Sequence, residues 1–333
     1  MGAIRSGLGS RVAVLVVALI GALGLAEVGL RVAGVSLRVA PERVEFGWPD
    51  PVLLEEAYVS DPDLLWVLGS YEEQRARLES DGGFDVAFLG DSCTEFGEYH
   101  WRFLGKLEGA GASPVRAETF GHGGWSSHQG RQLLERDLLE LGPRVVFVYF
   151  GWNDHWIGFG LEDKDLAAPA ESGPGSLRLV HLVKRARLGW LLSRQQSRPL
   201  RVSLDDFRAN LHAMVDGAVG VGAIPVLITA PDAHRPGHEP AQLAERFLPD
   251  LRTLIPLHDS YVEAVRDVAA GSPAVLCDAA RHFDGMPEEE RIALFTEDGI
   301  HLRADGDEVL ADVLLGCVGG SGALSRALGL PTP

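Results

Sequence analysis

The chain has 333 residues, of which 30 are basic and 47 acidic, and its formal net charge is −17. That length accommodates one large α/β domain with additional segments, or two modest domains. Nucleic acid requires a basic binding surface, so the acidic balance argues against nucleic acid as a partner.

The first predicted element is an apolar helix. Arg5 and Arg11 precede residues 12–30, which are apolar except for Glu27. A helix of that length spans roughly 28 Å, close to the hydrocarbon thickness of a bilayer. We therefore expect residues 1–11 to be cytoplasmic and the apolar run to be a transmembrane signal anchor. It would cross the cytoplasmic membrane once and leave the rest of the chain on the extracytoplasmic (periplasmic) side.

A cleaved signal peptide is the alternative interpretation of this segment, because Gly24 and Ala26 form a small-residue cleavage pattern. The anchor is favoured because the apolar run continues beyond Ala26, although Glu27 would be costly deep in lipid. A buried amphipathic helix is disfavoured because the run has no polar face.

Residues 31–80 are predicted to form a membrane-proximal connector that packs on the main domain. They contain several prolines, acidic residues and scattered aromatic residues, namely Trp48, Tyr58, Trp66 and Tyr71. Their pattern indicates no function.

Residues 81–330 are predicted to form one α/β domain. Short apolar runs rich in Val, Ile and Phe occur at 84–89, 115–120, 144–150, 224–229 and 273–277, the second being the weakest. Such runs are typical of buried parallel strands, and helical patterns separate them. The predicted fold class is α/β, a three-layer α/β/α sandwich around a central parallel sheet of about five strands, as in flavodoxin-like folds.

A long insertion, residues 156–205, interrupts this pattern. It contains a Gly/Pro/Ala-rich stretch and then a basic apolar helix candidate over residues 176–196. Insertions of this length are typically lids, binding segments or flexible segments. The basic helix would either touch a membrane surface or be a solvated helix with one buried face.

The three cysteines, Cys93, Cys277 and Cys317, form neither a disulfide framework nor a zinc cluster, because their number is odd and their spacing wide. Buried free thiols are expected. A Cys277–Cys317 bridge stays open as an alternative if the domain is exported.

Four short motifs lie at predicted strand ends or helix starts. They are Gly90-Asp91-Ser92, GHGGWSS at residues 121–127, Gly151-Trp152-Asn153-Asp154 and Asp298-Gly299-Ile300-His301. Ligands of open α/β sheets bind beyond the carboxyl ends of the strands, which is where these motifs fall. The Gly-x-Ser-x-Gly elbow of classical α/β-hydrolases is missing.

Together the four motifs resemble those of the SGNH (GDSL-like) hydrolase family, in a membrane-anchored bacterial form, over residues 84–317. The resemblance implies that Ser92 is a catalytic nucleophile and that His301 is its base. Asp298 would then fix the tautomer of the imidazole and stabilise its charged form. The alternative is that Ser92 is a serine in an ordinary turn and has no catalytic role.

The resemblance also implies an oxyanion hole made by the backbone N–H of Ser92, the backbone N–H of Gly124 and the side chain of Asn153. Gly121 and Gly123 are near alternatives to Gly124. The family usually has an asparagine where this chain has Thr119, which indicates a changed loop support. Asn153 and Asp154 are also good helix caps, a role compatible with oxyanion binding.

No cofactor and no metal are expected, because His122, His128 and His155 lie near this rim without the spacing of a metal site. Trp125 and Trp152 are candidate substrate-binding residues that would stack on a sugar ring or line an acyl pocket. Packing under the insertion is the alternative for both indoles.

The predicted function is a membrane-anchored serine esterase acting on a small ester or an acylated glycan, for example an acetyl group on a polysaccharide. An O-acyltransferase for envelope polysaccharide, using the same triad, is the first alternative. A non-catalytic binding protein that keeps the fold is the second. The sequence predicts no oligomeric state.

Overall fold

The computed structural model describes residues 3–33, 56–61, 63–158, 162–165, 179, 199–246, 248 and 250–330. The strands are β1 Tyr58–Asp61, β2 Leu65–Leu68, β3 Val86–Gly90, β4 Ala117–Gly121, β5 Val145–Tyr149, β6 Ile224–Ile228 and β7 Val275–Cys277. The helices are α1 Ala3–Val32, α2 Tyr71–Ser80, α3 Ser92–Glu95, α4 Tyr99–Gly109, α5 Ser127–Leu133, α6 Leu204–Gly220, α7 Ala241–Arg246, α8 Leu254–Ala270, α9 Ala279–Asp284, α10 Glu288–Ala293, α11 Ala304–Gly320 and α12 Gly322–Ala327.

The central sheet has five strands in the order β4-β3-β5-β6-β7, and every neighbouring pair is parallel. This confirms the predicted parallel sheet, including the weak run near 115–120, which is an edge strand. In the register Gly90 pairs with Gly121 on one side and with Tyr149 on the other, so three strands end at one level. The loops that follow these strands therefore meet at one edge of the sheet.

Alternate residues of each central strand face opposite cores. In β3, Val86 and Phe88 pack into one apolar cluster, whereas Ala87 and Leu89 pack into the other. Helices α4 and α11 cover the first face, and helices α6 and α8 cover the second. The result is the predicted three-layer α/β/α sandwich.

The N-terminal helix α1 is long and apolar enough to cross a membrane over Val14–Val32, where the mean hydropathy is 2.0 and none of the segment is buried. A signal sequence meets the same criteria. The Glu27 carboxylate, which weakens a membrane assignment, pairs with Arg31 at 2.8 Å one helical turn later. The pairing reduces the cost of placing Glu27 near an apolar medium.

The part of the predicted connector that the structure describes packs on the main domain. Strands β1 and β2 form an antiparallel hairpin, and Trp66 and Tyr71 are buried in one of the two cores. Residues 34–55 lie outside the described residues. So do 159–161, 166–178 and 180–198 of the predicted insertion, including all but residue 179 of the basic helix candidate. All three cysteines are free.

Candidate active site

Ser92 follows the carboxyl end of β3 and opens the short helix α3. Asp91 caps this helix, because its side chain accepts a hydrogen bond of 2.9 Å from the amide of Cys93. Gly90 must be a glycine, since a Cβ atom there would lie 2.1 Å from Thr94 Oγ1 and 2.9 Å from the carbonyl oxygen of Tyr149. The glycine thus lets α3 pack against the sheet edge, and Ser92 is left half-buried.

Asp298 and His301 lie in one loop that the carboxylate itself organises. Asp298 Oδ1 accepts hydrogen bonds from the amides of Ile300 and His301, at 2.9 and 3.0 Å, and from the Thr296 hydroxyl at 2.6 Å. Its Oδ2 lies 2.6 Å from His301 Nδ1. The aspartate therefore fixes both the loop and the ring that the loop carries.

The structure brings Ser92 and His301 together across 209 residues, with Ser92 Oγ 2.9 Å from His301 Nε2. An ionised carboxylate only accepts hydrogen bonds, so the proton of the neutral imidazole belongs on Nδ1, facing Asp298. Nε2 is then an acceptor for the Ser92 hydroxyl. The three residues form one continuous hydrogen-bonded path.

The charges in this path support one another. Burial lowers the pKa of His301, but the hydrogen bond and the charge of Asp298 outweigh burial and hold that pKa above 6.5. Burial likewise raises the pKa of Asp298, yet the hydrogen bond and charge of His301, with the Thr296 hydroxyl, bring it well below its usual range. The imidazole is thus electrostatically prepared to take a proton.

Gly124 and Asn153 lie in the loops that follow β4 and β5. The N–H of Gly123 donates to Glu95 Oε2, whereas the N–H of Gly124 has no acceptor among the described residues. Gly124 has a φ of +76°, which favours glycine. Among the three glycines that the sequence left open, Gly124 thus has an available amide, and Gly123 does not.

Asn153 is buried, and its Nδ2 donates to Asp91 Oδ2 at 3.3 Å. Within the described chain its side chain makes no other hydrogen bond, which leaves one amide hydrogen available. Burial raises the pKa of Asp91 to about 6. Through its hydrogen bonds with the amide of Cys93 and with Asn153 Nδ2, Asp91 links helix α3, which begins at Ser92, to Asn153.

The two tryptophans predicted to contact substrate are buried instead. Trp125 is 0% exposed and stacks on His122, with ring centroids 3.9 Å apart. Trp152 is 2% exposed and stacks on His258 at 3.8 Å. Neither indole has an exposed face for a substrate, so the predicted stacking role is not retained and both rings have a packing role.

Three neighbours of the site were missed in the sequence. Phe96 is 64% exposed, with its ring 6.3 Å from that of His301. His234 Nε2 bonds the carbonyl oxygen of Asp298 at 2.8 Å, and Glu95 bonds Gly123. Glu95 and Phe96 follow Ser92 closely in the sequence, and this proximity is a signal that could have identified them. No motif or spacing indicates His234. In the described part of the chain no group of three or more His, Cys, Asp or Glu residues could hold a metal ion.

Comparison with known proteins gives one family. The model of the GDSL-like Lipase/Acylhydrolase family matches residues 88–309. No match was found among curated proteins. Similar solved structures include a lipase/acylhydrolase from Enterococcus faecalis, at 19% identity and a TM-score of 0.48, covering 71% of this chain and 95% of that one.

Two further solved structures show a similar extent of likeness. An acetylxylan esterase from Geobacillus stearothermophilus is 18% identical, with a TM-score of 0.44, and the match covers 71% of this chain and 94% of that one. A GDSL-like lipase from Bacteroides thetaiotaomicron is 19% identical, also with a TM-score of 0.44, and covers 78% and 97%.

Proposed function

The chain belongs to the GDSL-like lipase/acylhydrolase family and is an ester hydrolase, and we propose that it cleaves a carboxylic ester through an acyl-enzyme on Ser92. The observation that carries the proposal is the hydrogen-bonded path from Ser92 Oγ through His301 to Asp298, at 2.9 and 2.6 Å. An acetyl ester is the simplest substrate of this class.

In the proposed reaction His301 Nε2 takes the Ser92 proton as Oγ attacks the ester carbonyl carbon. The resulting oxyanion accepts hydrogen bonds from the amides of Ser92 and Gly124 and from Asn153 Nδ2. Collapse of this intermediate breaks the ester C–O bond, and His301 gives its proton to the departing alkoxide. Asp298 stabilises the imidazolium throughout.

Water then repeats the sequence on the acyl-enzyme. His301 removes a proton from the water, the hydroxide attacks the acyl carbon, and Ser92 leaves with the proton returned by His301. The carboxylic acid is released and the serine is regenerated. Deacylation thus uses the same three side chains and the same oxyanion donors.

The exposed ring of Phe96, beside that of His301, offers an apolar surface to the acyl or alcohol part of a small ester. Trp125 and Trp152 are the sequence feature that favours an acylated glycan, and their burial removes that support. We therefore propose a small ester and treat transfer to or from a glycan as an outcome to be tested.

We also propose that α1 anchors the enzyme in the cytoplasmic membrane, with the catalytic domain on the extracytoplasmic side. The apolar segment Val14–Val32 supports the anchor, and the orientation rests on its being a signal anchor, because arginines lie on both flanks: Arg5 and Arg11 on one side, Arg31, Arg38 and Arg43 on the other. Fusion of a periplasm-dependent reporter to the C-terminus tests it: an active reporter agrees with the proposal, and an inactive, stably expressed one contradicts it.

The esterase proposal is tested with the full chain in detergent and a chromogenic acetyl ester. Ser92→Ala should abolish turnover, whereas Ser113→Ala, which changes an exposed serine elsewhere, should leave it unchanged. Full activity of Ser92→Ala would refute the nucleophile assignment. Adding an oligosaccharide and measuring its mass distinguishes water from a sugar hydroxyl as the acceptor.

A further inference from the structure

The peptide group between Gly123 and Gly124 is held by a residue outside the matched residues 88–309. Trp66, in strand β2 of the hairpin, donates its indole Nε1–H to the carbonyl oxygen of Gly123 at 3.0 Å, and this bond is buried. At the other end of Gly123, its N–H donates a hydrogen bond to the carboxylate of Glu95. Gly123 is thus held at both of its backbone polar groups.

The planarity of the peptide bond carries this contact to Gly124. In a trans peptide the C=O of one residue and the N–H of the next point in opposite directions within one plane. No cis peptide occurs in the described chain. By holding the carbonyl of Gly123, Trp66 therefore sets the direction in which the N–H of Gly124 points.

A second contact from the hairpin acts on the other end of Gly123. Tyr58, in β1, donates its hydroxyl to Glu95 Oε2 at 2.7 Å, and the same oxygen accepts the N–H of Gly123. A Cβ atom on Gly123 would lie 2.5 Å from Tyr58 Oη and 3.1 Å from Glu95 Oε2. Only a glycine fits between these groups, so this contact is closely packed.

The hairpin is fastened in turn by the segment it holds. Trp125 Nε1 donates to the carbonyl oxygen of Trp66 at 2.8 Å, and Gln129 Nε2 donates to that of Leu64 at 3.2 Å. The hairpin thus donates a hydrogen bond to this segment and accepts two from it. Three hydrogen bonds fix the relative position of hairpin and segment more firmly than a single one would.

The backbone immediately before Trp66 adopts an unfavourable conformation. Leu65 has a φ of +69° and is the one non-glycine residue with positive φ among the described residues. The amide of Trp66 bonds the carbonyl oxygen of Leu64 at 2.8 Å, so these three residues form a γ-turn. Such strain persists only where surrounding contacts over-determine it, and it is concentrated at functional sites.

From these contacts we infer that Trp66 is a positioning residue of the reaction: its indole N–H aims the Gly124 amide at the developing oxyanion. Tyr58 assists by holding Glu95 against Gly123. The hairpin between the N-terminal helix and the family domain is thereby part of the catalytic apparatus. The inference rests on the proposed function, because it presumes that Gly124 is an oxyanion donor.

The test variant is Trp66→Phe in the full chain, which keeps an aromatic ring but removes the donor. Complete loss of one oxyanion donor lowers the rate about 100- to 1000-fold, so a donor that is present but misdirected should lower kcat about tenfold. KM for the acetyl ester should change less than about twofold, because the ground-state ester is not held by this amide. Binding of phenylboronic acid, which forms a tetrahedral serine adduct, should weaken about as much as kcat falls.

Tyr71→Phe is the matched control. Tyr71 is buried in the same core and donates its hydroxyl to Asp137 at 2.5 Å, but this bond does not involve the Gly123 loop. The control should leave kcat and phenylboronic acid binding unchanged. If Trp66→Phe does not fold, Tyr58→Phe decides the matter, with an expected loss of about threefold in kcat and little change in KM.

The possible failures can be told apart. Suppose that Ser92→Ala is inactive and that a folded Trp66→Phe variant keeps the wild-type kcat and affinity for phenylboronic acid. This result would overturn the positioning role of Trp66 and leave the proposed function intact. Activity in Ser92→Ala would overturn the proposed function and the inference with it. Equal losses in Trp66→Phe and Tyr71→Phe would also overturn the inference, since the effect would then be general destabilisation.

Discussion

The two halves of the proposed site differ in the origin of their supports. On the nucleophile side, Asp298 holds His301 from three residues away, through the ring and through the backbone amide of His301. On the oxyanion side, Trp66 bonds the carbonyl of Gly123 from 57 residues away. The ring of His301 is therefore oriented mainly within its own loop, to which His234 adds one distant hydrogen bond at the carbonyl oxygen of Asp298, whereas the carbonyl of Gly123 is held by a distant tertiary contact.

The predicted insertion contributes to the oxyanion side as well. Arg201 Nη1 donates to the carbonyl oxygen of Gly124, and its guanidinium pairs with Asp163 at 2.7 Å. Both side chains of this ion pair are fully buried, and Asp163 also accepts from the Ser126 hydroxyl at 2.6 Å. Two residues of the predicted insertion thus support the same loop as the hairpin does, and the guanidinium of Arg201 lies over the ring of Trp66, 5.9 Å from its centroid.

The largest effect is expected on the nucleophile side. Asp298→Asn should lower kcat about 10⁴-fold, because an amide donates to Nδ1 and so favours the wrong tautomer of His301. The measurement is ester turnover at saturating substrate. Asp305→Asn, which changes an exposed acid at the start of α11, is the control and should be fully active. A loss of less than about tenfold in Asp298→Asn would contradict the role of this carboxylate.

The same variant has a signature in the pH profile. The proposed reaction needs neutral His301, so kcat/KM should fall as the pH drops through the pKa of His301, which Asp298 raises above its ordinary value. Removing the carboxylate charge of Asp298 leaves only the smaller effect of Asp91 to oppose burial, so the pKa of His301 falls. The acid limb of the residual activity should therefore move to lower pH, and an unmoved limb would mean that another group titrates.

The next prediction compares the stability provided by the buried Arg201–Asp163 pair with that provided by a partly exposed ion pair. Arg201→Met leaves Asp163 charged and buried, which should lower the free energy of unfolding by about 3 to 5 kcal/mol. The control is Arg102→Met, which breaks a partly exposed pair with Glu308 and should cost less than about 1 kcal/mol. Chemical denaturation measures both. Equal costs for the two variants would show that the Arg201 pair is not a main support of this region.

The fourth prediction concerns Asn153, the proposed side-chain donor to the oxyanion. Asn153→Ala should lower kcat about 100- to 1000-fold with little change in KM, because the amide would act on the transition state. Steady-state kinetics on the acetyl ester provide the measurement. Asn210→Ala, which removes a buried amide bonded to Ser127, serves as the control for lost packing. If the Asn153 variant loses affinity and keeps its kcat, Asn153 binds the ground state instead.

The sequence predicted the sheet well, because buried parallel strands have a composition that can be recognised one strand at a time. It also predicted which residues would meet: Ser92, Asp298 and His301 were chosen from motifs, and the structure joins them by hydrogen bonds. Strands that end at one level explain why the loops carrying Ser92, Gly124 and Asn153 meet, whereas the loop of Asp298 and His301 reaches the same place from the start of α11.

What the sequence did not predict consists of contacts without a local pattern. Trp125 and Trp152 belong to the motifs themselves, but their burial involves stacking on His122 and His258, which no motif indicates. The bond from Trp66 to Gly123 joins a side chain to a backbone carbonyl across two separate elements. No periodicity or spacing indicates such a bond, so only coordinates could reveal it.

The most direct test of the central claim is to map where an alkyl fluorophosphonate reacts with the full chain in detergent. Peptide mass spectrometry should find one phosphonylated residue, Ser92, with a much slower reaction in His301→Ala. An adduct on a different residue, or continued ester turnover after Ser92 is fully modified, would contradict the account.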